Sequence, residues 1–396
     1  MQRRDFLCTQ LAAGLGLCSG VRFPGLDQVA HLDGGLATDR TLLLVELTGG
    51  NDGLNTIVPF GDDLYHRARP VLAAAKSAVH QVDQHTGYAP TLERLAKLHQ
   101  DGHVAVVQGV GMASPDRSHF LSLDRWHSGD PTDSPRRTGW IGRALAHLPS
   151  AKSALPGLAL GDRALPLIFH GTDRPVAACD RLKDLVPPRD VRKMLESPGF
   201  EKMDHSWGNP ADRRLIAASR DLLAALSRVA GQESRDDGIV QSPLGQKMSD
   251  VLAILRSNLR VPAVFVRTGG FDTHARQDQA HPQLLNGVDG ALAPFFRALV
   301  KDRLQHRVLV IVYSEFGRRV KENGSRGTDH GSAGPVLLLG GGVKPGLHGS
   351  RPNLDRLDNG DVKTSIDFRR ILAQGLRHLQ HPDPVKVLGK EAKPLF

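Results

Sequence analysis

The chain is poor in cysteine and aromatic residues, and it has no long apolar run. Three cysteines in 396 residues (Cys8, Cys18 and Cys179) cannot build a disulfide framework. No stretch reaches the roughly eighteen apolar residues that a membrane-crossing helix needs. The phosphate-cradling loops GxxxxGKS/T and GxGxxG are missing, as is the GxSxG elbow, so nucleotide-binding and α/β-hydrolase sites lack their mechanical parts. Internal repeats, low-complexity tracts and a linker rich enough to divide domains are also lacking. With 40% hydrophobic and 23% charged residues, the chain has the make-up of an ordinary folded protein, not a disordered, collagen-like or coiled-coil one. Lys and Arg exceed Asp and Glu by 51 to 42, giving a formal net charge of +9. These basic residues are spread along the chain, with no basic helix and no strand of alternating basic and aromatic residues. A charge distributed in this way excludes nucleic acid and leaves a small anionic partner.

What is present begins with an address. The opening MQRRDFL pairs Arg3 and Arg4 ahead of Phe6 and Leu7 and of a modest apolar run over residues 11–17. That arrangement is similar to a twin-arginine export signal. Residues 1–38 are expected to be the signal segment, with the twin-arginine translocation machinery as a partner and the periplasm or cell surface as destination. The bulky Leu17 precedes Cys18 where a lipidated cysteine needs a small residue, and no clear small-x-small cleavage motif follows. Loss of the segment leaves Cys179 alone and no internal disulfide, which suits a route that carries proteins already folded.

From about residue 40, strand and helix signals alternate. Short apolar runs without alternation at 41–47, 103–108, 262–267, 307–313 and 335–339 predict buried strands. Helical patterns lie at 91–99, 211–230 behind Asn209-Pro210, 242–258, 283–304 and 365–379. The pattern predicts one α/β domain over 39–396 with a mainly parallel central sheet covered on both faces and a helical insertion or cap at about 150–240.

In such sheets, chemistry collects beyond the carboxyl ends of the strands. Four strand-end segments are rich in acids and imidazoles. They are GGNDGLN with Asp52, TGGFDTH with Asp272 and His274, YSEFGRR with Glu315, and GTDHG with Asp329 and His330 just before a strand. Hard oxygens and borderline nitrogens converging in this way suit one or two divalent ions. Each also has a plain alternative: an Asn-Asp-Gly turn at Asp52, a capping Asp at 272, an ion pair of Glu315 with Arg318 or Arg319, an Asp-stabilised turn at 329. A further loop, MASPDRSHFLSLDRWHSG, places Ser118 near a helix start beside Arg117 and His119. There a hydroxyl becomes a candidate nucleophile toward a phosphate or sulfate, or an N-cap. Asp124, Trp126 and His127 recur at helical spacing, as a packed face does, and His348 is an isolated imidazole.

The ordered set LTGGNDGLNTIVP, QGVGMASPDRSHFLSLDRWHSG, GWIGR, GGFDTH, YSEFGRRVKENGSRGTDHG and KTSIDFR resembles a twin-arginine-exported bacterial family, domain of unknown function 1501. That family resembles the alkaline phosphatase and sulfatase superfamily. The resemblance implies an alkaline-phosphatase-like three-layer sandwich. In that superfamily an Asp after the first strand binds metal, the place held by Asp52, and Asp272 and His274 resemble its Asp and His pair at closer spacing. Ala113 falls at the nucleophile position of the sulfatase frame, which argues against formylglycine chemistry and leaves Ser114 or Ser118. Phe316 stands where the motif carries an imidazole.

The expected function is an exported metal-dependent hydrolase of phosphate or sulfate esters. Asp52, Asp272, His274, Glu315, Asp329 and His330 are its ligands or their supports, and Ser118, Arg117 and His119 act on a small anionic ester. Zinc is the expected ion, with manganese, calcium or magnesium as alternatives. The competing reading is a non-catalytic exported binding or assembly protein with a degenerate or structural metal site.

Overall fold

The computed structural model describes residues 39–148, 155–185, 235–257, 259–390 and 392–396, together with 21–22 and positions 190, 193 and 229. The helix expected at 211–230 and nearly all of the export segment fall outside the described residues.

The apolar runs form the centre of one sheet because their side chains are buried on both faces. β2 (Thr41–Leu47) sends Leu43, Val45 and Leu47 into one core and Leu42 and Leu44 into the other. β10 (Val308–Tyr313) divides in the same way, Val308, Val310 and Val312 against Leu309, Ile311 and Tyr313. The first core is closed by α2 (Glu93–Gln100), α5 (Pro243–Arg256) and α6 (Gln277–Lys301). The second is closed by α3 (His119–Ser128), α4 (Trp140–His147), α7 (Phe368–His378) and α8 (Pro384–Leu388). The result is a three-layer α/β/α arrangement. A small sheet of β3 (Ile57–Val58), β4 (His80–Gln81) and β5 (Gly87–Tyr88) and the short helix α1 (Asp63–Ala68) precede α2.

The strand order is β1-β8-β7-β9-β2-β10-β11-β6-β12, with β13 also on β6. Here β1 is Val21–Arg22, β6 Val104–Gly111, β7 Gly157–Leu160, β8 Val176–Cys179, β9 Ala263–Thr268, β11 Gly334–Gly340, β12 Gly346–His348 and β13 Ile366–Asp367. Strands β8, β7, β9, β2 and β10 run parallel, and β11 runs against both β10 and β6. The carboxyl ends of β9, β2, β10 and β6 therefore share one edge with the start of β11. That geometry gathers the loops at 48–56, 269–276, 314–333 and 112–118.

Three features depart from the expectation. The stretch expected as an insertion supplies β7 (Gly157–Leu160) and β8 (Val176–Cys179) to the central sheet itself. Four-residue strands such as GLAL and VAAC, in which small residues stand among the apolar ones, carry too short a hydrophobic pattern to be recognised in sequence. Within the expected signal, β1 (Val21–Arg22) pairs antiparallel with β8. Helix α6 also begins ahead of Pro282, and it contains Pro294 as well. The carbonyl that Pro294 cannot serve, Gly290 O, instead accepts the Val240 N–H at 3.0 Å.

Candidate metal centre

The loop after β2 turns on Gly49 and Gly50, both at positive φ. A Cβ on Gly49 would run into the backbone of Phe271 and Asp272, and one on Gly50 into the Phe316 ring. Only glycine lets this loop lie against the loops after β9 and β10.

Arg318 ties these loops together. Its side chain is wholly buried. Nε donates to Gly50 O at 2.6 Å, Nη1 to Thr328 O at 2.7 Å, and Nη2 to Phe271 O at 3.0 Å, to Asp272 Oδ1 at 2.7 Å and to Gly49 O. The rigid donor fork of arginine suits a hub of this kind. Arg318 thus serves backbone carbonyls and Asp272, not Glu315.

Asp272 sits at the mouth, its side chain 48% exposed. Burial acts to raise its pKa, but the close contact of His330 Nε2, the hydrogen bond from Arg318 and the charges of Arg318 and His274 outweigh it, holding the carboxyl at about 2. It is an anion at any physiological pH.

Three imidazoles face Asp272 through the same ring atom. His330 Nε2 lies 3.0 Å and His274 Nε2 3.1 Å from Asp272 Oδ1, and His119 Nε2 lies 3.5 Å from Oδ2. His274 Nε2 and His330 Nε2 are 2.9 Å apart. Among the described residues, His119, Asp272 and His330 offer ligand atoms within 4.8 Å of one another.

Each imidazole is turned inward by an acceptor on its other nitrogen. His119 Nδ1 donates to Glu315 Oε1 at 2.7 Å, His274 Nδ1 to Asp329 Oδ1 at 3.2 Å, and His330 Nδ1 to the carbonyl of Arg117 at 2.8 Å. The supports are themselves held. Glu315 is buried and accepts Gly49 N at 2.8 Å and the Ser314 hydroxyl at 2.9 Å. Asp329 accepts Asn323 Nδ2 at 3.2 Å, and that bond and His274 keep its pKa low. The hydrogen bond to Glu315 raises the pKa of His119, against an opposing effect of burial and with help from the charges of Glu315 and Asp272.

This wiring has a chemical consequence. A proton on Nδ1 leaves each neutral ring with a lone pair on Nε2. Two lone pairs meeting at 2.9 Å beside a carboxylate repel unless a cation or an added proton lies among them. Ligand nitrogens of a tetrahedral zinc site, with bonds of about 2.0–2.1 Å, are separated by a little over 3 Å. Three imidazoles and a carboxylate are also a donor set that zinc favours. The residues fit a divalent ion, and paired acceptors on the outer nitrogens are the usual support of such ligands.

The expected residues separate into distinct places. Asp272, His274 and His330 come together. Glu315 and Asp329 orient two of the imidazoles. His119, expected to hold the ester, joins the donor cluster instead, because α3 starts over Glu315. Arg117 contributes its carbonyl to His330, while its guanidinium is paired with Asp361 at 2.8 Å. Asp52 stands apart as a correction to the ligand set. It is fully buried, and its oxygens accept Arg69 Nη1 at 2.6 Å, Gln277 Nε2 and Leu54 N at 3.2 Å. Burial raises its pKa, and Arg69 more than reverses the effect. Ser118 is the exposed N-cap of α3, with no cap hydrogen bond from its side chain. His348 lies on β12, bonded to Lys344 O at 2.7 Å. Arg318 was expected only as an ion-pair partner of Glu315 and Asn323 had no expected role, since only the approach of separate loops gives them their partners. Phe316, buried, packs its ring 4.9 Å from that of His119 and 4.7 Å from that of His330.

Residues 105–380 match the profile of a family described as protein of unknown function (DUF1501). No curated protein matches the chain. Among solved structures, it is similar to Ps i-CgsB, crystallised with k-i-k-neocarrahexaose, at 11% identity over 86% of this chain and 72% of that one, with a TM-score of 0.41. It is also similar to the PsFucS1 sulfatase from Pseudoalteromonas sp., at 10% identity over 100% of this chain and 77% of that one, TM-score 0.37. A third similar structure is a protein in the alkaline phosphatase superfamily from Vibrio parahaemolyticus, at 12% identity over 89% and 73%, TM-score 0.32.

Proposed function

The chain belongs to the DUF1501 family, and from that premise we propose that it is an exported metal-dependent hydrolase of small phosphate or sulfate esters. One observation carries the metal part: three imidazoles, each fixed through Nδ1, turn Nε2 toward Asp272 with two of those nitrogens 2.9 Å apart. His119, His274, His330 and Asp272 would hold the ion, with zinc favoured by the nitrogen-rich set. When bound, it would polarise the ester and stabilise charge on the attacking and leaving oxygens.

The chain's own groups supply the rest. Arg318 keeps Asp272 ionised and in place. Glu315, Asp329 and the Arg117 carbonyl hold the imidazole tautomers. The N-terminus of α3 brings backbone N–H groups and the positive end of its dipole beside the cluster, an environment suited to an anion. Ser118 sits on that terminus with an exposed hydroxyl and is the nucleophile of this reading. For export, the support is the Arg3-Arg4-x-Phe6-Leu7 pattern and a lone remaining thiol, Cys179, which is buried. No described helix is long and apolar enough to cross a membrane.

The donor count also favours a second reading. With His274, which lies 2.9 Å from His330 Nε2, recruited as a fourth donor to the His119, Asp272 and His330 group, the set would be the complement of a closed structural zinc site, whereas catalytic sites commonly present three and leave one position open. A non-catalytic binding protein with a structural ion would use the same residues.

The test is hydrolysis of aryl phosphate, phosphodiester and sulfate esters by zinc-loaded protein beside its Ser118→Ala and His330→Ala forms. Turnover of one ester class, lost in both variants, supports the hydrolase. Turnover equal in all three forms refutes the assigned site. Tight zinc binding with no turnover favours the structural reading. Export is tested by fusing residues 1–38 to a folded reporter, whose translocation should stop when Arg3 and Arg4 become Lys.

A further inference from the structure

A second buried polar network lies one strand away from the cluster, and the proposed reaction makes no use of it. Glu46, on β2, is completely buried. Its Oε2 is 2.6 Å from His127 Nε2 and accepts the Tyr313 hydroxyl at 3.0 Å, while Oε1 accepts Arg267 Nε at 2.8 Å. Burial pushes the Glu46 pKa up, but His127 and Arg267 overcome this and hold it at about 2. A carboxylate placed so deep needs each of these partners.

His127 and His119 belong to the same ten-residue helix, α3. His119 opens the helix at the cluster, and His127 lies about 12 Å further along the axis. The neighbouring Trp126 is fixed too: its Nε1 donates to Glu315 O at 3.1 Å, and its ring stacks on Tyr313 at 4.4 Å. Glu315 thus holds both ends of α3, His119 through its carboxylate and Trp126 through its carbonyl. The distal end is locked to β2 and β10 by Glu46 and Tyr313. A helix secured at one end only could roll or slide about its axis, and its first residue would swing off the cluster. Secured at both ends, it cannot.

We propose that His127, held by Glu46, is a positioning residue of the metal centre: with Trp126 it fixes the far end of α3 and so aims His119 Nε2 at Asp272. The inference rests on the metal reading above, and it adds a distant pair to the residues that set the affinity of the site.

The experiment is a zinc titration against a competing chromophoric chelator on the full chain and on His127→Leu, His127→Gln and Trp126→Phe, with thermal unfolding of each metal-free form. Leu removes the bond to Glu46, Gln can still donate to it, and Phe keeps the ring while losing Nε1–H. The expected result is zinc affinity weakened roughly 10–100-fold in His127→Leu, the range for outer-shell supports of metal ligands. Most of that affinity should be regained in His127→Gln, and Trp126→Phe should be weakened in the same direction. A residue that served stability alone would lower the unfolding temperature and leave zinc affinity unchanged, and that result overturns the proposal. If His127→Leu does not fold, Trp126→Phe decides, with unchanged affinity counting against it. Should the unaltered chain bind no zinc, the metal reading itself falls and this positioning role falls with it, which separates the two failures.

Discussion

His119 and Glu315 meet at 2.7 Å across 196 positions of sequence, Nδ1 donating to Oε1. The bond joins the first residue of α3 to the residue two beyond the end of β10, and it decides which nitrogen of His119 faces Asp272. Glu315→Gln keeps the size but offers one oxygen where there were two, with no charge. Zinc affinity should weaken by about 10–100-fold with little change in helix content, as competition titration and circular dichroism would record. Unchanged affinity would remove Glu315 from the centre.

The titration behaviour of the metal-free protein follows from two opposite shifts. His119 has a raised pKa, so its contribution to stability is complete below the unfolded value of about 6.5 and is lost as pH rises through the folded value. Asp272 is lowered to about 2, so its contribution is present above the unfolded value of roughly 3.9 and is lost as pH falls toward 2. The His119 contribution should therefore fall on going from pH 6 to pH 8, while the buried His281 and His378, whose pKa burial lowers to about 4, gain stability over that interval, so the unfolding temperature of metal-free His119→Ala should rise more steeply from pH 6 to pH 8 than that of the unaltered chain. Since an ion needs neutral imidazoles, zinc binding should run the other way and strengthen over the same interval. Parallel pH scans with and without zinc check both signs.

Asp52→Ala distinguishes a ligand from a structural ion pair. The substitution strands the buried guanidinium of Arg69 and should cost about 3–5 kcal/mol in chemical unfolding. Zinc affinity of the folded fraction should stay as it was. A large loss of zinc with little loss of stability would return Asp52 to the ligand set.

The fate of Asp52 shows how far sequence reading carries. Strands β2, β9, β10 and β11 were legible because a sheet covered on both faces makes each a continuous apolar run. Strands β7 and β8 were not, being only four residues long with Ala between their larger apolar residues. The strand-end acids and imidazoles could be picked out as a group, since parallel strands must deliver their following loops to one edge. Dividing that group into donors and supports depended on contacts that no local pattern encodes. Asp52 in Asn-Asp-Gly resembles a ligand until Arg69 and Gln277 arrive from α1's end and α6. His119 resembles an ester-binding residue until Glu315 turns it. Arg318 looked like one more basic residue after a strand, although five acceptors from three loops surround it.

Arg318→Met tests that hub. Four backbone carbonyls and Asp272 would lose their donor, so the protein should be destabilised by about 3–5 kcal/mol or more in denaturant unfolding. Arg318→Lys, with charge but no fork, should recover part of this. Equal stability of all three proteins would show that the loops do not rely on the guanidinium.

The centre carries the charges of Asp272, Glu315 and Asp329 against Arg318, a balance that one divalent ion completes. The most direct test is therefore zinc stoichiometry of the intact chain by native mass spectrometry, alongside His330→Ala. One tightly held ion per chain is predicted, lost or greatly weakened in the variant. An intact chain that takes up no zinc, manganese, calcium or magnesium, or a His330→Ala form that binds as tightly as the original, would contradict the account.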